Sequence, residues 1–299
     1  MDNKRRVAIA TANRSERGLL DPIIKRLRAL KDINFTLYEG SFFDYDGFPP
    51  WKLNGKPDVI LVPCDRKEMV EVAMECYYDR IPVFHFQAGV GYTGTWDDLN
   101  RRVISSYAYI MFCEDEDAKQ RLIKSGEEPW RCIVTGPTNL DDLELDESSV
   151  PNVPYDLVLV NPNPVDRDDT LITLGNAVQL MDPDKLTFWM APNQPFFTAI
   201  PFGKHAGPPE FPDKNKIILQ DTLPRSQFLA LLKHADTFIS NSSATVYEAP
   251  YFGTKVINPG LRNLERPLPK VPRGTASDKI AQILATYPLD PKKLLKKYA

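Results

Sequence analysis

The sequence predicts an α/β chain with two successive parallel sheets, each covered by helices on both faces. Three observations carry that expectation. Short apolar runs alternate with segments of helical period along most of the 299 residues. The alternation halts once, in the polar, proline-bearing stretch from Pro137 to Pro154, and then restarts. The length suits two domains, each able to bury its own core. We therefore expect two Rossmann-like halves, residues 1–147 and 148–299, with the last helix packing back on the first half.

The elements follow in order. Val7 to Ala12 is a buried strand, turned by Asn13 to Glu16. Leu19, Leu20, Ile23, Ile24, Leu27 and Leu30 then recur at helical spacing, with Pro22 placed in the first turn. Strands are expected at 33–39, 58–64, 81–86, 109–113 and 132–135. Helices are expected at 67–78, from Asp97 onward, and at 115–125. The second half reads as strands at 156–160, 186–191, 217–220, 237–240 and 255–258. Its helices are expected at 170–181, 225–234, after Ser242, at 277–286 and at 291–298. In open parallel sheets, ligands gather at the carboxyl ends of the strands. Arg14, Asp65, Gln87, Asn161, Asn193 and Ser242 all follow strands, so all are expected to point into one cleft between the halves.

The turn Asn241-Ser242-Ser243-Ala244-Thr245 is the most suggestive of these. Small hydroxyl side chains let a ligand approach the backbone, and the first amides of a helix bind anions. Glu248, one turn on, suits ribose hydroxyls. A plain helix cap by Asn241 or Ser242 is the competing reading of this stretch taken alone. For Asp65 it is likewise a cap of the following helix.

Hydrophobic content of 42% and charged content of 26% are those of a soluble globular protein. A net charge of −3 offers nucleic acid no overall attraction, unless Lys25, Arg26, Arg101 and Arg102 form a local patch for DNA bases. Cys64, Cys76, Cys113 and Cys132 lack metal-ligand spacing and read as buried thiols, which fits a reducing cytoplasm. We expect no metal site and no cofactor, no signal peptide and no membrane span. Lys292, Lys293, Lys296 and Lys297 suit either an amphipathic closing helix or contact with anionic lipid. Oligomers remain open.

Two motif groups carry a family resemblance. One is Leu231 to Asp236, Asn241-Ser242-Ser243 and Glu248 to Thr254. The other is Trp96-Asp97-Asp98-Leu99-Asn100-Arg101-Arg102, followed by Val134 to Pro137. With Thr11 to Leu20, they make the chain resemble the UDP-N-acetylglucosamine 2-epimerases, especially the hydrolysing, sialic-acid-pathway type. The resemblance implies the two-domain GT-B fold. It implies that Ser242 and Ser243 hold a diphosphate, that Glu248 holds the uridine ribose, and that Arg14 and Arg262 lie by the nucleotide. It places Asp65 and Asp97 (or Asp98) at acid positions of the reaction.

The departures shape the functional expectation. Gln87 stands where one branch has a glutamate, Val90 where another has an acid, and Asn161 where a histidine is usual. Neither Gln87 nor Asn161 carries a proton at neutral pH. Gln194 follows Asn193 where an aspartate is usual. We therefore expect a glycosyltransferase that moves a sugar from a UDP-sugar to an unknown acceptor, with Asp65 as base and Asp97 and Gln87 beside it. The alternative is a 2-epimerase with a rearranged acid–base set, in which His85 or His205 replaces the imidazole. A non-catalytic nucleotide-sugar binder is the third reading.

Overall fold

The computed structural model describes residues 4–12, 14–40, 49–91, 97–163, 166–192, 216–268 and 275–297. The chain forms two compact units. The first comprises residues 1–91, 97–142 and 269–299, and the second residues 92–96 and 143–268.

Unit 1 is a six-stranded parallel sheet. Its strands are β1 (Arg5–Thr11), β2 (Ile33–Glu39), β3 (Val59–Pro63), β4 (Val83–Ala88), β5 (Ile110–Cys113) and β6 (Cys132–Val134). The order is β2-β1-β3-β4-β5-β6. Helices α1 (Arg14–Ala29), α2 (Trp51–Asn54), α3 (Lys67–Tyr78), α4 (Asp97–Tyr107), α5 (Glu116–Lys124) and α9 (Ala276–Thr286) complete it. The alternation of side chains along a strand explains its two cores. Ala8, Ala10, Ile60 and Val62 face α3, through Met69, Val72 and Ala73. Val7, Ile9, Val59 and Leu61 face Leu20, Ile23 and Leu27 of α1 and Ile280 and Leu284 of α9. Each such fully buried aliphatic side chain contributes about 1.5–3 kcal/mol.

Unit 2 is a five-stranded parallel sheet, order β11-β10-β7-β8-β9. Its strands are β7 (Tyr155–Leu159), β8 (Leu186–Met190), β9 (Ile217–Gln220), β10 (Thr237–Ser240) and β11 (Lys255–Ile257). Helices α6 (Arg167–Leu180), α7 (Arg225–His234) and α8 (Glu248–Phe252) accompany them. The chain builds outward from β7 to β9, then returns to the other side of β7 with β10 and β11. The switch point therefore lies between β7 and β10. The expected α/β class, two Rossmann-like units of GT-B-like architecture, is the one observed.

Three local expectations need correction. Pro22 lies inside α1 and not in its first turn. The helix starts at Arg14, five residues before the first apolar position, where hydrophobic period is silent. Glu16 secures this start by accepting the Ala12 amide at 2.9 Å. At the other end of the chain, no helix runs over 291–297. A single 3₁₀ turn, Pro291–Lys293, stands there, and Arg131 Nη2 donates to its last carbonyl, that of Lys293, at 2.7 Å and to the Leu295 carbonyl beyond it at 3.4 Å. The Lys296 side chain is buried and faces inward, so it does not join Lys292, Lys293 and Lys297 on the exposed surface. Finally, no basic patch forms from Arg26 and Arg101. Arg26 is spent on Asp142 and Asp278, and Arg101 is buried against carboxylates.

Candidate active site

In unit 1 the site residues collect at the carboxyl ends of β3 and β4. Cys64 follows β3 with φ 56°, and Gln87 near the end of β4 has φ 58°. Gln87 thus lies within the strand, not after it. The β4–β5 register shifts between Phe86 and Ala88, so Gln87 is the extra residue of a β-bulge. Bulges re-aim a side chain, and left-handed backbone at a non-glycine residue costs about 1–3 kcal/mol, so the surrounding structure must hold both residues in place. The Cys64 amide donates to the Phe86 carbonyl at 2.9 Å. The Cys64 thiol donates to Gln87 Oε1 at 3.3 Å, and Gln87 Nε2 donates to Asn139 Oδ1 at 3.3 Å. Gly89 is required two residues on. Its φ is 68°, and a Cβ there would strike the Ala118 carbonyl.

Asp65 does not cap α3. The cap position is Arg66, with no side-chain cap bond. The Asp65 carboxylate instead accepts from Arg101 Nη2 of α4, whose Nη1 also reaches Asp98 at 3.4 Å. Arg101 is 4% exposed, while 20% of the Asp65 side chain remains accessible. The guanidinium fork thus bridges two carboxylates, one nitrogen to Asp65 and the other to Asp98. Asp97 opens the same helix, so α4 presents Asp97, Asp98 and Arg101 together at this end of unit 1. Sequence reasoning missed Arg101, although Asp98 three residues before it on a helix was a usable signal. Val90 is buried. His85 is fully buried too, and burial, helped by the Lys296 charge against the pull of its Cys64 hydrogen bond, pushes its imidazole down to about 4. It is therefore neutral at pH 7. Arg14 begins α1. Asn193 and His205 lie outside the described residues.

In unit 2 the site residues ring the switch point between β7 and β10. Asn241 is not a helix cap. Its Oδ1 accepts the Asn161 amide at 2.7 Å and its Nδ2 donates to the Asn161 carbonyl at 2.8 Å. This side chain stands in for two rungs of sheet just beyond the strands. Ser242 is buried, and its amide and hydroxyl both meet Ser240 Oγ at 3.0 Å. A 3₁₀ turn, Ser243–Thr245, follows, with Ser242 at its cap and no side-chain cap bond. The opening amides of that turn are those that a 3₁₀ turn leaves without an internal acceptor. Arg262 Nη1 donates to the Pro162 carbonyl at 3.2 Å, and Asn263 Nδ2 donates to the Asn241 carbonyl at 2.9 Å. Glu248 is buried and accepts from Arg225 Nη2 at 2.9 Å. Asn161, Ser242 and Arg262 are thus brought together. Asn263 and Arg225 are partners that periodicity cannot reveal. Asn241→Ala is expected to destabilise unit 2 by about 2 kcal/mol, because two backbone groups lose their partner. Equilibrium urea unfolding followed by far-UV circular dichroism checks it.

A 330 Å³ depression lined by Leu27, Arg28, Leu30, Ile33, Phe35 and Leu37 lies at the opposite end of unit 1, where β2 begins, and belongs to neither set. Among the described residues no cluster of His, Cys, Asp or Glu could hold a metal, and no helix is long and apolar enough to cross a membrane.

The family model of UDP-N-acetylglucosamine 2-epimerase matches residues 50–268. The chain belongs to the UDP-N-acetylglucosamine 2-epimerase family. That match takes in Asp65, Gln87, Asp97 and the whole switch-point set of unit 2. Among relatives of this epimerase family, the UDP-N,N'-diacetylbacillosamine 2-epimerase (hydrolyzing) of Legionella pneumophila is 24% identical, over 95% of this chain and 86% of that protein. The UDP-N-acetylglucosamine 2-epimerase of Neisseria meningitidis is 26% identical, over 72% of this chain and 59% of that protein. Among solved structures, the Methanocaldococcus jannaschii UDP-GlcNAc 2-epimerase in complex with UDP-GlcNAc and UDP superposes with a TM-score of 0.73 at 16% identity, over 93% of this chain and 99% of that one. These findings overturn the expected glycosyltransferase with an unknown acceptor. The family and the curated relatives are 2-epimerases, so Gln87 and Asn161 are no mark of a transferase.

Proposed function

We propose that this chain is a hydrolysing UDP-sugar 2-epimerase acting on a 2-acetamido sugar. The observation that carries the reading is Asp65, held by the buried Arg101 beside the left-handed pair Cys64 and Gln87. The reaction removes the proton at C2 and breaks the C1–O bond to the diphosphate, releasing UDP and a 2-acetamidoglycal. Water then adds its hydroxyl at C1, and a proton returns to C2 on the opposite face. Such chemistry needs carboxylates that move protons and cationic help for the departing diphosphate.

Asp65 and Asp97 are the residues we assign to proton transfer. Gln87 cannot transfer a proton, and its amide is suited to orienting the sugar by hydrogen bonds. In unit 2, Ser242, Ser243 and the turn amides are assigned to the diphosphate, Arg262 to its charge, and Glu248 to the ribose. Asn161 and Asn193 are assigned to the same nucleotide-sugar site, and Arg14 to the nucleotide. The hydrolysing outcome is supported by the Legionella relative, which spans nearly the whole chain.

Incubation with UDP-N-acetylglucosamine and, separately, UDP-N,N'-diacetylbacillosamine, followed by NMR, tests this. One of the two donors is expected to yield the free 2-epimeric sugar and UDP in equal amounts. A UDP-linked epimer would overturn hydrolysis, and two unchanged donors would overturn the epimerase reading.

A further inference from the structure

His85 lies on β4, two residues before Gln87, and takes no part in the assigned proton transfers. Its Nε2 is 2.8 Å from the Cys64 carbonyl oxygen and its Nδ1 is 2.9 Å from Ser105 Oγ. A carbonyl only accepts, so Nε2 carries the proton and Nδ1 accepts from the Ser105 hydroxyl. That settles the tautomer. The Ser105 carbonyl in turn accepts from the Lys296 ammonium at 2.5 Å, and Lys296 pairs with Glu127 at 2.6 Å. The side chains of all four residues are buried. Arg131 clamps the same terminal segment through the Lys293 carbonyl.

The end point of this chain of donors is informative. Cys64 holds a left-handed backbone that its side chain disfavours, and its carbonyl belongs to the peptide leading into Asp65. Nothing in the residue type keeps that peptide in place. The imidazole does, by its Nε2 bond to the Cys64 carbonyl. We propose that His85 is a positioning residue for the Asp65 carboxylate, and that Lys296, near the carboxyl end of the chain, is the far anchor of the same brace. The inference rests on the reading of Asp65 as a proton-transfer group. It gives the terminal segment a role in catalysis beyond packing: Lys296 steadies Ser105, Ser105 steadies the ring, and the ring steadies the turn.

Two substitutions separate this from a merely structural role. In His85→Gln the amide reaches the Nε2 position and keeps a donor for Cys64. In His85→Asn the amide stops near Nδ1 and loses it. Misplacing a reacting group by about 1 Å costs up to roughly 100-fold. We expect His85→Asn to lower kcat about 30-fold with KM within about threefold, and His85→Gln to recover to within about fivefold of the wild type. Ser105→Ala, which removes only the donor to Nδ1, should lower kcat about fivefold. Nitrogen-15 NMR of the unaltered protein should show the Nε2–H tautomer at neutral pH. A wild-type kcat in His85→Asn, equal losses in His85→Asn and His85→Gln, or an Nδ1–H tautomer would each overturn the proposal. Should His85→Asn fail to fold, an unchanged kcat in Ser105→Ala overturns it instead. Failure of the underlying reading is distinguishable. A fully active Asp65→Asn removes Asp65 from the reaction whatever His85 does, whereas an inactive Asp65→Asn beside a fully active His85→Asn sinks only the brace.

Discussion

Asp65→Asn is expected to lower kcat by about a thousandfold, within the 10²–10⁴ range of general acid–base groups. The substitution keeps the shape of the side chain and an acceptor oxygen for Arg101, so the fold of unit 1 should survive. What disappears is a group able to take or return a proton. Affinity for UDP alone should change by less than about twofold, since the nucleotide is assigned to residues of unit 2. Steady-state kinetics with the donor that turns over, together with calorimetric titration of UDP, separates the two effects. Retention of more than about a third of the wild-type kcat would place the proton transfer on another group.

The second large effect is on stability. Lys296 and Glu127 form an ion pair whose side chains are 5% and 7% exposed. Burial pulls the Lys296 ammonium below its ordinary range, and the Glu127 charge opposes that pull. Glu127→Ala leaves the cation buried without its counter-charge, and such losses cost about 3–5 kcal/mol. Thermal unfolding of unit 1 is expected to fall by roughly 10 °C. The double replacement Glu127→Ala with Lys296→Met should recover most of that loss, because the uncompensated charge goes with the lysine. Equal destabilisation in the single and double variants would show that packing, not charge, dominates there.

The sequence made the regular elements legible wherever local chemistry alone decides them. Helix α3 and helix α7, and strands β9 and β10, fall on the residues expected from period and flanking breakers. Where a distant side chain decides, the reading failed. The terminal lysine-rich segment has a helical pattern, yet Arg131 and Glu127 take its carbonyls and its lysine from elsewhere in unit 1. Asn241 looks like a cap because Asn caps helices well. Only the fold brings the Asn161 backbone within its reach.

The candidate site divides in the same way. Residue types at strand ends, such as Asp65 and Ser242, were visible. The Arg101 pairing spans 36 positions and was not. The left-handed backbone of Cys64 and Gln87 has no signature in residue type, since neither is glycine or asparagine. The transferase expectation rested on Gln87 and Asn161, which carry no proton, whereas the pairing of Arg101 with Asp65 and Asp98 becomes visible only in the fold.

Solvent exchange at C2 tests the central claim most directly. The reaction is run in D₂O with the accepted UDP-sugar, and the product is read by proton NMR and mass spectrometry. An epimerase that passes through a glycal must place one solvent deuteron on C2 of each product molecule and invert that centre. Product that keeps its original proton at C2, with the starting configuration, would mean simple cleavage of the C1–O bond and would contradict the account.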